Sequence, residues 1–255
     1  MNEQLPYPFI FKSPSLIQDE RLLNLGIKHG FSTRLNGVSK EPYNSLNLSF
    51  ETEDIPENVH ENRKILSSQV QVSTEWCEAE QIHSFNVSQV SQTGIIKKAD
   101  GLITSKNDLP LFIKTADCYP VLISEKRKSF IAILHIGWRG LYKGIIESFF
   151  DIIKFGRIKP QNLIVSVGPG ISWKHLEVEK DIAESFEAHE DLSFHVKRYQ
   201  EKYFIDIAGG IEHIFRKYDV FDISALKLCT YEREDLFFSY RRDKTTGRQG
   251  AIISF

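Results

Sequence analysis

The chain is short of several things, and each shortage removes a class of protein. Its three cysteines, Cys77, Cys118 and Cys229, are odd in number and far apart. They make no disulfide framework, and a reducing cytoplasm is the expected setting, with free thiols available for chemistry. No apolar run approaches the about 20 residues that span a bilayer. The opening MNEQLPYPFIFKSPSL has acid and proline where a secretory signal needs a basic end and a long apolar core. Neither a membrane partner nor export is therefore expected. Charge of one sign is also missing: 32 basic residues face 34 acidic ones, a net charge of -2. That balance argues against a nucleic-acid partner bound mainly by phosphate neutralisation. Repeats, low-complexity tracts and obvious linkers are absent as well.

What remains is 255 residues, 41% of them hydrophobic, enough for one large domain or two intimate subdomains without metals or disulfides to hold the core. Apolar runs of strand length recur: LFIKTA, YPVLI, SFIAILHI, NLIVSVG, KYFIDI, FFSY and AIISF. Several are apolar on both faces, which implies strands buried between layers. Helical patterns lie over residues 55–70, with Asp54 as N-cap, over 141–155 ending at Gly156, and over 178–188 and 208–218. The uneven alternation predicts an α/β (mixed α+β) fold with mixed sheets and flanking helices, not a regular eightfold barrel. The Asn-, Ser- and Gly-rich stretch STRLNGVSKEPYNSLNLSFETED predicts a long loop.

Three side chains stand out chemically. His135, in SFIAILHIGWRG, ends an apolar run before a glycine turn. Cys118, in KTADCYP, lies between Asp117 and a proline expected to break strand pairing. His83, in EQIHSF, is expected to share a strand face with Gln81. A lone buried histidine or cysteine is more often structural than functional. Lys114 and Asp117, charged within an apolar stretch, argue for a polar pocket here, because buried charges need partners.

Taken together, two imidazoles and one thiolate suit zinc with an open fourth position, where a water would have its pKa lowered towards about 7. They equally suit a Cys–His nucleophile pair. Blue copper uses the same set but adds an axial Met, and the only methionine is Met1. A multicopper cluster needs more histidines than the eight scattered here, none in a His-x-His pair. The ligand separations match no compact zinc finger, so the fold must bring the three together.

Arginines add an anion-binding element. Arg63 lies on the first predicted helix, Arg139 sits beside His135, and Arg241, Arg242, Lys244 and Arg248 fall in FFSYRRDKTTGRQG. Arginine's planar fork suits phosphate or carboxylate. One of Arg241 and Arg242 is expected to point inward from a strand, and Lys244 to be a solvated surface charge. GPGISW could present backbone N–H groups to an oxyanion, though a tight connection is the simpler reading. Glu177 is a candidate general acid or base. Trp138 is assigned to packing.

PYNSLNLS, ENVHENR, QIHS, ADGLITS, TADCYPVLI, HIGWRGLYKG, GPGIS with LEV, and CT followed by FFSYRRD and TGRQ resemble, in this order, the motifs of the YfiH family. That family is also called the laccase-domain or polyphenol oxidase family, and more recently the purine nucleoside phosphorylase family. The resemblance implies a layered sandwich in which residues 1–255 form one catalytic domain. It implies zinc held by His83, Cys118 and His135, the three residues that would also carry catalysis. It implies phosphorolysis of adenosine, inosine, guanosine and methylthioadenosine, with deamination of adenosine, and so a purine nucleoside and phosphate as partners. Asn47, Arg63, Arg139 and Arg241 are the substrate- and phosphate-binding residues expected on this basis. Some members are described as copper-dependent polyphenol oxidases, others as peptidoglycan editing factors acting on a muropeptide precursor. A monomer or small homo-oligomer is expected. One departure is visible: His175 and Leu176 stand where members often carry cysteine and an aromatic, which would put a further imidazole near the metal.

Overall fold

The computed structural model describes residues 4–156 and 158–255. Two mixed sheets lie face to face. The first has seven strands in the spatial order Phe9–Ser13, Leu16–Asp19, Lys28–Ser32, Gln249–Ser254, Leu111–Thr115, Cys77–Ala79, Gly94–Ile96. The second has six: Asp222–Ala225, Leu163–Val167, Tyr119–Glu125, Ile131–Ile136, Gly101–Thr104, Val87–Gln89. A small sheet of Glu177–Val178, Lys202–Ile205 and Val196–Tyr199 completes the set.

Side-chain alternation shows how the layers stack, since successive residues of a strand point to opposite faces. In Leu111–Thr115, Leu111 and Ile113 enter the core between the sheets with Leu122, Ile131, Ile133 and Ile164. Phe112, between them in sequence, faces the other way, onto Leu66 and Val70 of the helix Pro56–Val70. In Ile131–Ile136, Ala132, Leu134 and Ile136 face outward onto Ile145, Phe149, Ile211 and Phe215 of the helices Ile145–Ile153 and Ile207–Lys217. The result is helix, sheet, sheet, helix. Strands buried on both sides explain the apolar runs without polar alternation.

Most expected elements are present, with local differences. The helix predicted over 141–155 divides into Trp138–Tyr142 and Ile145–Ile153, because Gly144 takes φ +85° and ends one helical path before the next begins. Asp54 does not cap the first long helix. Its carboxylate accepts from Ser39, Asn47 and the amide of Ile55, which is itself the N-cap. FFSY is not a strand; it leads into a short helix, Tyr240–Asp243. Pro120 lies inside a strand opposite His135. It is tolerated because the His135 amide turns away, to the carbonyl of Asp100 (2.7 Å).

Candidate metal centre

His135 sits at the end of the strand Ile131–Ile136, on the face turned towards the first sheet, with only 4% of its surface exposed. Its Nδ1 lies 2.8 Å from Oδ1 of Asp100, which is fully buried. The same carboxylate accepts from the amides of His83 (3.0 Å) and Ser84 (2.6 Å) and from the Ser84 hydroxyl (2.7 Å). One buried acid therefore orients one imidazole and folds the backbone that carries the other. His83 is on a bend with φ +56°, not on a strand, and its ring is exposed. The Asp100 bonds to three consecutive amides, Ile82, His83 and Ser84, hold that bend in place of strand pairing.

Cys118 precedes the strand Tyr119–Glu125 at the end of a sharp turn in which Asp117 takes φ +99°. Asp117 is anchored by the Thr230 hydroxyl (2.7 Å) and the Arg241 amide (2.7 Å). The donor atoms of His83, Cys118 and His135 all lie within 4.8 Å of one another. Gly137 closes the centre from below: a Cβ there would come within 2.7 Å of the Cys118 Sγ and 3.4 Å of His83 Cδ2.

The electrostatics match a cation site. Burial pushes the Cys118 thiol up, but the charge and hydrogen bonds of His135, and then of His83, outweigh it and bring the pKa down to about 6. Burial likewise opposes charge on His135, yet Cys118 and Asp100 raise it to about 9. Asp100 is raised by burial and lowered further by His135 and Ser84, to about 2. With Nδ1 held by a carboxylate, His135 presents Nε2 to the centre, the arrangement typical of metal-bound histidine. The donor set and this supporting carboxylate fit a three-ligand metal.

The centre opens into a cavity of about 710 Å³, within the range of small-molecule sites. Cations line it: Lys114, Arg139, Arg241, Lys244 and Arg248. So do Trp138, Ile171, Leu176 and Tyr240. Arg139 stacks on the Trp138 ring at 4.1 Å. Of the residues expected to bind substrate, Arg139 and Arg241 lie on this surface; Asn47 and Arg63 do not. Asn47 is fully buried, and its amide is consumed by Ser49, Thr52, Asp54 and the Arg248 amide, so it shapes the loop. Arg63 pairs with Glu78 (2.7 Å) and the Leu48 carbonyl, beneath the rings of Phe50, Trp76 and Phe112. It reaches the cavity only indirectly: Glu78 also holds Lys114 (2.7 Å).

Other expectations change too. Arg241 projects from a helix, not a strand, while Arg242 turns back to the carbonyls of Thr230, Tyr231 and Phe237. Lys244 is exposed, as expected, but on the cavity rim. In GPGIS the amides of Gly168, Gly170, Ile171 and Ser172 are all used internally, leaving none for an oxyanion. Glu177 is exposed and paired with Lys202 (2.9 Å). His175 is not at the centre; it stacks on Tyr231 and meets Glu232. Asp100 and Glu78 are the contributors that no motif reading singled out, whereas Arg248, read as one of the cationic cluster, does line the cavity. An acid just before an apolar strand, as in ADGLIT, is the only hint of the first.

Fold and centre define a laccase-type α/β protein built around a His–Cys–His cluster. Residues 28–255 match the family described as multi-copper polyphenol oxidoreductase laccase. The chain is 34% identical over 240 residues to the purine nucleoside phosphorylase YfiH of Shigella flexneri, covering 93% of this chain and 98% of that one. It is 34% identical to the purine nucleoside phosphorylase YfiH of Escherichia coli K12, covering 89% and 93%. The hypothetical protein YfiH of Bacillus licheniformis superposes with a TM-score of 0.92 at 26% identity, over 98% of this chain and 100% of that one. YlmD of Geobacillus stearothermophilus gives 0.92 at 25%, over 98% and 99%. The chain belongs to the YfiH, or laccase-domain, family. Among the described residues, no helix is long and apolar enough to cross a membrane.

Proposed function

We propose that the chain is a zinc-dependent purine nucleoside phosphorylase that also deaminates adenosine, acting in the cytoplasm as one catalytic domain. The observation that carries this reading is the joining of a His–Cys–His centre to a cation-lined cavity in a relative of proteins named purine nucleoside phosphorylases. Zinc is preferred to copper on the donor set: two imidazoles and a thiolate, with Met1 the only methionine and no further histidine on the cavity surface. His83, Cys118 and His135 would hold the zinc, which would supply Lewis-acid chemistry there.

The chain's own residues do the rest. Among the described residues, the Arg139 side chain makes no hydrogen bond or ion pair, which leaves it to take a phosphate dianion with Arg241, Lys244 and Arg248 beside it. Trp138, Ile171, Leu176 and Tyr240 offer apolar surface to the purine. In phosphorolysis the glycosidic C1′–N9 bond breaks, its electron pair leaves with the base, and a phosphate oxygen bonds to C1′. In deamination water replaces the C6 amino group and ammonia departs. Asp100 holds the His135 ring in register throughout.

Metal analysis of the purified protein, run beside product detection with adenosine and phosphate, tests this. Adenine with ribose 1-phosphate marks phosphorolysis; inosine marks deamination. Alanine at His83, Cys118 or His135 should abolish bound zinc and turnover together, and full activity in the metal-free triple variant would sink the reading. A second reading, a cysteine amidase, is favoured by the lowered Cys118 pKa of about 6 with His135 beside it. Activity retained under chelators, with rapid alkylation of Cys118, would select it.

A further inference from the structure

We infer that the chain carries a second metal site, made by His175, Cys229 and Glu232, that takes a thiolate-preferring divalent ion such as zinc and clamps one wall of the catalytic cavity. Their donor atoms also lie within 4.8 Å of one another, and none of the three lines the cavity. The ligand types are those zinc accepts: one thiolate, one imidazole, one carboxylate. Cys229 is 6% exposed, His175 is half-buried and Glu232 is exposed, so the outward side is open to water as a further ligand.

Two features separate this cluster from an incidental surface pair beside a buried thiol. The Ser172 amide donates to the Cys229 Sγ at 3.2 Å. A backbone N–H aimed at sulfur is a common support for metal-bound cysteine. The cluster is also assembled on a fixed frame. Gly170 and Cys229 form a β-bridge, tied by Thr230 N–H to the Gly170 carbonyl (3.1 Å). The 3₁₀ turn Trp173–His175 then delivers the imidazole, which lies flat on Tyr231 with ring centroids 4.3 Å apart and 14° between planes. Cys229 and Glu232 stand three residues apart in a turn closed by the Arg233 amide on the Cys229 carbonyl (3.0 Å). His175 Nε2 and the Glu232 carboxylate lie 2.8 Å apart.

The placement says what the ion does. Segment 170–177 supplies Ile171 and Leu176 to the cavity wall, and the Glu177 carbonyl holds the Arg241 guanidinium. Segment 229–232 supplies Thr230 to Asp117, next to Cys118, and two carbonyls to Arg242. An ion bridging the segments ties that wall to the turn that presents Cys118. Among the described residues, the contacts across the gap are the His175–Glu232 hydrogen bond, the His175–Tyr231 stack, the Ser172 amide on the Cys229 sulfur and a short stretch of backbone pairing.

Cobalt reads the site separately from the first, because thiolate ligation gives an intense near-ultraviolet charge-transfer band. In Cys118→Ser protein the remaining thiols are Cys77 and Cys229. Cys77 is fully buried in apolar surroundings that push its pKa up to about 11, which removes it as a ligand. One equivalent of cobalt should therefore produce the band in Cys118→Ser. The band should vanish in Cys118→Ser/Cys229→Ser, and His175→Ala should weaken cobalt binding at least about tenfold. The unmutated chain, loaded with one equivalent of zinc and then given cobalt, should show the same band, so the result does not depend on Cys118→Ser folding well. No band in either protein, or one that survives Cys229→Ser, overturns the proposal. Nucleoside turnover is not the readout, so the two functional readings stand or fall separately.

Discussion

At the scale of single residues, Gly137 has the sharpest consequence. Its φ of -94° suits any residue, so alanine there strains no backbone. The added Cβ, however, would press on the Cys118 Sγ at 2.7 Å. Gly137→Ala should leave the thermal midpoint of the metal-free protein near that of the parent and weaken zinc at least about tenfold, about 1.4 kcal/mol. Chelator competition measures this, and an unchanged zinc affinity would show that the thiol does not need that space. The three candidate ligands were legible in the sequence because each lies at or near the end of an apolar run and carries a chemically active side chain. Asp100 was not, since an acid opposite a histidine in a neighbouring strand becomes visible only with the strand register. His83 was legible as a candidate ligand but not as a bend residue, because its conformation is set by Asp100 and not by its neighbours in sequence.

Pairs of elements explain why charged residues sit inside apolar runs. Glu78 on the strand Cys77–Ala79 is 8% exposed and joins Arg63, from the helix Pro56–Val70, to Lys114, from the strand Leu111–Thr115. Burial raises the Glu78 pKa, but Arg63 and then Lys114 outweigh it and hold the carboxyl below its ordinary range. Removing the acid alone leaves two cations with a lost partner, which costs more than an ordinary surface pair. Glu78→Ala should lower stability by about 3–5 kcal/mol in urea unfolding. It should also change the cavity, because among the described residues Lys114 would keep only the exposed Glu51 as an acidic partner. A loss below about 1 kcal/mol, the range of exposed pairs, would mean that water already shares this network. Lys114 announced such a partner as a charge within LFIKTA. Its identity was hidden, because Glu78 lies on a strand of three residues, too short for any periodicity to reveal.

For the whole molecule, one separable part of the pH dependence of stability comes from a histidine far in sequence from the centre. His29 is fully buried in the strand Lys28–Ser32 of the first sheet. Its Nε2 accepts from the Asp19 amide at 2.8 Å, so Nδ1 carries the proton and donates to the Ile27 carbonyl at 2.9 Å. Charging the ring would set a second N–H against the Asp19 N–H. Burial, the largest influence, lowers the pKa below the ordinary 6.5, against the Ile27 carbonyl and the Asp19 charge, which favour the cation. The unfolded chain therefore binds a proton that the folded chain refuses. The stability that His29 contributes is complete above about pH 6.5 and drains away as pH falls towards its lower folded value, by at most about 1.4 kcal/mol per pH unit. His29→Gln keeps an acceptor for Asp19 and cannot titrate. Urea midpoints of the two proteins should hold a fixed separation above neutrality and converge below about pH 6.5. A metal held at the His–Cys–His centre would also bind more weakly in acid, but equally in both proteins, so its effect cancels in the comparison. Midpoints that keep their separation down to pH 5 would show that His29 is charged in the fold, and that the Asp19 amide makes its bond elsewhere.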